Sequence, residues 1–317
     1  MQAAILEAPG RASVREISLP ELKPGQVRVR LEGCGVCGSN LAPWEGRPWF
    51  QYPFEAGKPG HEGWGAIEEI GPGVTGFNRG DRVALLSYHA FAEYDIAPAD
   101  SVVLLPASLR GKPFPGEALG CAMNVFRRCE IKPRQTVAIV GIGFLGAVLT
   151  ALAKRAGAEV IAISRREFPL EIAKAFGAHH AIAMQENGAA IEAVKRITEG
   201  GGCACVIEAV GLQQTLDLAT ELTRERGRLV VAGYHQDGPR TVNMQLWNWR
   251  GIDVINAHER DASVYVQGMR EAAAAIDRGH FDPSPLYTHE FELDRITDAF
   301  TAMKERPNQF LKALVRL

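Results

Sequence analysis

The sequence has almost no excess of charge of one sign: 35 Lys and Arg stand against 37 Asp and Glu, a formal net of -2. Such a chain has no overall field to attract nucleic acid or an anionic membrane, so small-molecule chemistry fits it better. The start lacks the basic segment, apolar run and small-residue cleavage site of an export signal, since Met1 to Glu7 already reaches an acid; the expectation is a cytoplasmic protein. Charge-free runs are scarce. The longest lies between Arg134 and Lys154, nearly long enough to cross a bilayer, and glycines punctuate it. No internal repeat or low-complexity tract is visible. Cysteine is sparse and uneven, at Cys34, Cys37, Cys121, Cys129, Cys203 and Cys205. In a reducing compartment that spacing suggests metal or core roles before disulfides. No second Cys-x-x-Cys accompanies Cys34 and Cys37, which counts against a zinc ribbon or a redox pair. Cys34 reads as a packed strand residue, and Cys203 and Cys205 as core or edge residues of a strand.

The 317 residues, 46% of them hydrophobic, suffice for about two domains. Up to about Pro115 the chain is rich in Gly, Pro and short alternating runs such as 27–31 and 65–70, separated by turn sequences at 71–73 and 78–81. This texture predicts a β-rich first domain. After Gly116 strands (136–140, 159–163, 205–207, 229–232) alternate with helices (146–156, 170–176), which predicts a doubly wound parallel sheet and an α/β chain overall. Helical patterns at 264–278 and 293–304 and a last strand at 310–317 return to the texture of the first part.

One motif stands inside the uncharged run. Val137 to Val140 leads into Gly141-Ile142-Gly143-Phe144-Leu145-Gly146, a strand entering Gly-x-Gly-x-x-Gly at the start of a helix. Gly141 permits a tight turn, Gly143 lets a pyrophosphate approach the backbone, Gly146 allows helix and strand to pack closely, and Phe144 and Leu145 lie in the same loop. About 20 residues on, where an NAD enzyme places an acid against the ribose, the strand ends in Ser164-Arg165-Arg166. Ser164 can hydrogen-bond a 2′-phosphate and the arginines can neutralise it, so NADP is favoured over NAD.

A second set carries metal chemistry. Cys37, the adjacent pair His61-Glu62, and Cys121 offer thiolate and imidazole donors that suit Zn²⁺, with one coordination position left open for a substrate oxygen. Trp44 and Trp49 follow the first of these donors; Trp44 is the candidate for a substrate wall, with plain packing as the alternative. His89, His235 and His258 stand alone and are read as structural.

With Cys37, His61 and Cys121 beside this dinucleotide motif, the chain resembles the zinc-containing medium-chain alcohol dehydrogenase superfamily. Residues 37–47 (Cys-Gly-Ser-Asn-Leu-Ala-Pro-Trp-Glu-Gly-Arg) look like its sorbitol and polyol dehydrogenase branch. The resemblance covers nearly the whole chain. It implies a GroES-like catalytic domain (1–121 and 255–317) interrupted by a Rossmann coenzyme domain (122–254). It matches Cys37 to the first zinc ligand, His61 to the second and Glu62 to the neighbouring acid. Cys121 matches the third ligand of the alcohol dehydrogenases, while Glu117 matches the acid used in that region by the polyol branch; donor softness puts Cys121 first. The resemblance also implies a homodimer or homotetramer, with Trp247 and Trp249 at a subunit contact.

Three departures from the family pattern follow. No cysteine lies between Cys37 and Cys121, so the structural-zinc lobe is missing and one zinc per chain is expected. Asn40 stands where the family usually has Asp. The relay histidine of the family falls at Ala42, which leaves Ser39 to pass the proton outward through ribose or water. The reaction implied is reversible oxidation of a secondary alcohol, polyol or sugar-like, to its ketone. A zinc-free enone or quinone reductase and a non-catalytic NADP-binding regulator are the competing readings.

Overall fold

The computed structural model describes residues 1–317 and divides into two compact units, Met1–Met123 with Arg260–Leu317, and Asn124–Glu259. In the first, β1 (Gln2–Ala8) and β2 (Arg11–Glu16) form an antiparallel hairpin. β3 (Gln26–Val36) buries Val27, Val29 and Leu31 and turns Arg28 and Arg30 outward, the alternation of a strand with one face in a core. A short α1 (Leu41–Trp44) follows, then β4 (Gly63–Ile70), β5 (Arg82–Leu85), β6 (Tyr94–Pro98) and β7 (Val102–Leu104). α2 (Gly116–Cys129) carries the chain across the division.

The second unit alternates strictly. β8 (Thr136–Val140), α3 (Phe144–Arg155), β9 (Glu159–Ser164), α4 (Glu167–Ala175), β10 (His180–Ala183) and α5 (Asn187–Ile197) make one half. β11 (Cys203–Glu208), α6 (Gln213–Leu222), β12 (Thr223–Val231), α7 (Met244–Arg250) and β13 (Asp253–Asn256) make the other. The strands are parallel in the order β10-β9-β8-β11-β12-β13. Val137–Val140 and β11 are buried throughout, as expected for strands covered on both faces, and Cys203 and Cys205 lie in that core. The direction of winding reverses between β8 and β11, the switch point at which such sheets receive ligands. The uncharged run of the sequence resolves into β8, the glycine turn and α3, and no helix is long and apolar enough to cross a membrane.

The chain then adds α8 (Ala262–Asp277), β14 (Tyr287–Glu292), α9 (Ile296–Glu305) and β15 (Lys312–Arg316) to the first unit. β15 inserts between β14, which it joins in parallel, and β3, which it joins antiparallel. The resulting sheet runs β14-β15-β3-β4-β5-β7, with β6 also on β3. On the second unit, α7 leaves Trp249 84% exposed, while Trp247 tucks its Nε1 against Thr220 Oγ1 at 3.2 Å.

Trp44 has the packing expected of its alternative reading: it is 6% exposed, its ring stacks on Phe300 of α9 at 5.0 Å, and Phe300 in turn meets Phe91 edge-on at 5.5 Å. α9 covers the face that α1 presents, so the indole is consumed by packing. Trp44→Ala is expected to lose about 3–5 kcal/mol of stability in urea unfolding, and Trp44→Phe to keep the parent KM. A changed KM at unchanged stability would return the residue to the pocket.

Candidate active site

The geometry begins with three hydrogen bonds to two backbone groups. After β3 the chain makes a single 3-10 turn, Gly38–Asn40, in which the buried Asn40 accepts the Cys37 N–H at 2.9 Å through Oδ1. Its Nδ2 donates to the Pro59 carbonyl at 3.0 Å, and the same carbonyl lies 2.9 Å from His61 Nδ1. A carbonyl only accepts, so Nδ1 carries a proton and Nε2 is left as the nitrogen turned to the site. The carbonyl thus orients the ring, a task that commonly falls to a carboxylate or carbonyl behind a metal-binding histidine. Asn40 serves it by fixing that carbonyl. Ser39 Oγ lies 3.4 Å from His61 Nε2.

Around that nitrogen the donors converge. Ligand atoms of Cys37, His61 and Glu62 lie within 4.8 Å of one another. Glu117, on the first turn of α2, brings Oε2 to 4.0 Å from His61 Nε2. Neither Glu117 nor Cys121, one turn further along α2, belongs to the 4.8 Å group. Burial opposes charge on His61, but its hydrogen bond to Cys37 and the charges of Cys37, Glu117 and Glu62 outweigh burial and hold the imidazole up to about 10. Burial raises the Cys121 thiol well above its ordinary range, and the neighbouring Glu117, Cys37 and Glu62 push it the same way. Burial likewise raises Glu117.

Glu62 itself is fully buried and faces Lys312 of β15, whose Nζ lies 2.6 Å from Oε1 and 2.5 Å from Oε2. Both carboxylate oxygens therefore belong to the ion pair, although Oε2 accepts no directed hydrogen bond. Sulfur, imidazole nitrogen and carboxylate oxygen gathered within 4.8 Å fit a Zn²⁺ ion. Sequence reasoning missed Lys312, although a lysine inside the apolar run of 310–317 is a signal, because buried lysine needs an acid. It also missed two tyrosines. Tyr88 is exposed with its ring 6.1 Å from that of His61, and Tyr265 of α8 is raised by burial and by the charges of Glu117 and Cys121.

In the second unit the glycine turn has the form its spacing predicts. Gly141 adopts φ +99°, a region closed to most side chains, and a Cβ on Gly146 would fall 2.1 Å from the Gly141 carbonyl oxygen. Gly143 caps α3 with open space beside it, while Phe144 is buried and Leu145 partly so. On the adjacent strand, β9 ends at a buried Ser164, whose Oγ accepts the Arg166 N–H at 3.3 Å. Arg165 is exposed and no acid occupies 164–166, so both predicted groups stand at the carboxyl edges of neighbouring strands.

Comparison with known proteins accords with this geometry. A family model described as zinc-binding dehydrogenase matches residues 145–275, and one described as alcohol dehydrogenase GroES-like domain matches residues 23–107. A sorbitol dehydrogenase of Bacillus subtilis (strain 168) is 27% identical over 99% of this chain and 97% of its own. An alcohol dehydrogenase of Geobacillus stearothermophilus is 30% identical over 96% of each chain. A zinc-binding dehydrogenase of Sinorhizobium meliloti 1021, solved with NADP, superposes with a TM-score of 0.85 at 24% identity, over 100% of this chain and 99% of its own, a likeness of fold.

The Glu62–Lys312 pair makes a prediction. Lys312→Met leaves a buried carboxylate without its cation and is expected to cost about 3–5 kcal/mol in urea unfolding, most of it recovered in the double variant Glu62→Gln, Lys312→Met. A single variant as stable as the parent would contradict the pairing.

Proposed function

Because the chain belongs to the zinc-containing medium-chain alcohol dehydrogenase superfamily, whose members here are alcohol and sorbitol dehydrogenases, we propose that it interconverts a secondary alcohol, polyol or sugar-like, and its ketone with NADP(H) and one catalytic zinc per chain. The observation that carries the reading is the convergence of Cys37, His61 and Glu62 within 4.8 Å. When bound, zinc supplies Lewis acidity to the substrate oxygen and the nicotinamide exchanges the hydride.

The chain's own residues do the rest. Cys37 and His61 serve as ligands, with the imidazole aimed by its bond to the Pro59 carbonyl. The 4.0 Å approach of Glu117 to His61 Nε2 favours this carboxylate as third ligand over Cys121, which donor softness put first. Glu62 stands beside them, held by Lys312. Ser39 Oγ takes the hydroxyl proton outward, and since Ala42 is buried and carries no relay group, the proton continues through ribose or water. Gly141, Gly143, Phe144, Leu145 and Gly146 receive the pyrophosphate at the start of α3, and Ser164, Arg165 and Arg166 receive the 2′-phosphate.

Two measurements test this reading. Cys37→Ser is expected to lose bound zinc and turnover while keeping NADP affinity; turnover that survives complete chelation points instead to a zinc-free enone or quinone reductase. NADP should bind at least about tenfold more tightly than NAD, the scale of one charge-assisted hydrogen bond, and Arg165→Ala with Arg166→Ala should remove most of that difference. Equal affinities in the parent protein refute the 2′-phosphate assignment.

A further inference from the structure

Away from the metal donors, the second unit holds another carboxylate with no exposure: Glu208, the last residue of β11. Four donors meet it. Oε1 accepts from the backbone N–H of Val210 (2.9 Å) and Gly211 (2.8 Å) and from Thr215 Oγ1 (2.7 Å), and Oε2 lies 3.1 Å from His235 Nε2. On the far side of that imidazole, Arg240 Nε lies 2.9 Å from Nδ1. A guanidinium only donates, so Nδ1 is the acceptor and Nε2 carries the proton that reaches Glu208. The histidine is therefore a neutral bridge between an acid and a base that do not touch. Arg240 Nη2 extends the chain to the Gly211 carbonyl at 2.9 Å and to Asp237.

This bridge ties together two loops, residues 209–212 after β11 and 232–241 after β12. Both leave the carboxyl edge of the sheet on the β11 side of the switch point. The first is keyed to the glycine turn: Ala209 N–H donates to the Val140 carbonyl at 2.9 Å, and a Cβ on Gly141 would lie 2.3 Å from Val210 Cγ2. The second is pressed on the first, since a Cβ on Gly211 would lie 2.6 Å from the Tyr234 carbonyl oxygen. A dinucleotide with its pyrophosphate on the glycine turn and its adenine ribose at Ser164 on the β9 side must extend its other half across the switch point. These two loops lie on that side.

On the reading that the coenzyme binds at this turn, we propose that Glu208, His235 and Arg240 are positioning residues that hold the loops after β11 and β12 in the shape that receives the nicotinamide half of the coenzyme. They do so through hydrogen bonds that need one donor and one acceptor on the central side chain. His235→Leu removes both. His235→Gln restores both, because the oxygen and nitrogen of an amide bear the same one-three relation as the imidazole nitrogens.

The test is direct binding to the zinc-loaded protein, by fluorescence titration with NADPH (or NADH, should that bind more tightly) and by calorimetry with the adenine-half fragment (adenosine 2′,5′-bisphosphate, or AMP for NADH). His235→Leu is expected to weaken the whole coenzyme by about tenfold with fragment affinity unchanged, and His235→Gln to recover most of the loss. Arg240→Met, at the more exposed end of the bridge, gives the same selective weakening if His235→Leu does not fold. Whole coenzyme and fragment weakened alike, or neither weakened, overturns the inference. A parent protein that binds neither coenzyme overturns the coenzyme reading, and this inference with it.

Discussion

Glu62 holds a charge where no water reaches, between a thiol and imidazole on one side and a single ammonium, Lys312, on the other. Desolvating a carboxylate costs several kcal/mol unless a partner compensates it, and that requirement links distant parts of the chain. β15 must pair with β3 to deliver the lysine, and the segment before β4 must place the acid directly after His61. The same register seats Cys37 at the end of β3, where Asn40 and the Pro59 carbonyl fix both donors. A cluster that gathers a thiol, an imidazole and two carboxylates around one internal cation is one that a divalent ion stabilises.

The second unit answers the same physical problem differently. Glu208 is as buried as Glu62, but its compensation comes from backbone N–H groups, a threonine and a neutral imidazole, with Arg240 one step removed. Direct pairing with Lys312 leaves Glu62 one oxygen without a hydrogen bond. The four donors on Glu208 leave it little capacity for anything but holding shape. The first arrangement suits a residue beside reacting atoms; the second suits a residue that orders loops around a bound molecule.

Much of this was legible in the sequence, and for identifiable reasons. The strand, glycine turn and helix of 136–156 are local, each glycine answering a backbone requirement within a few residues, so pattern sufficed. The convergence of Cys37, His61 and Glu62 was legible because their chemistry is rare in a packed strand end. What escaped depends on contacts across long sequence separations. Lys312 meets Glu62 across 250 positions, and the stacking of Trp44 on Phe300 joins α1 to α9. His235 was read as structural, and nothing near it in sequence announces that it bridges Glu208 and Arg240. Between Glu117 and Cys121 spacing alone does not decide, since both lie on one face of α2.

The most direct test of the account is X-ray absorption at the zinc edge of the purified, zinc-loaded protein. One zinc per chain with a single sulfur at about 2.3 Å, completed by nitrogen and oxygen ligands, is the result predicted by Cys37, His61 and Glu117. A protein that takes up no zinc contradicts the metal site itself, and a first shell with two sulfurs contradicts the assignment of Glu117 by placing Cys121 on the metal.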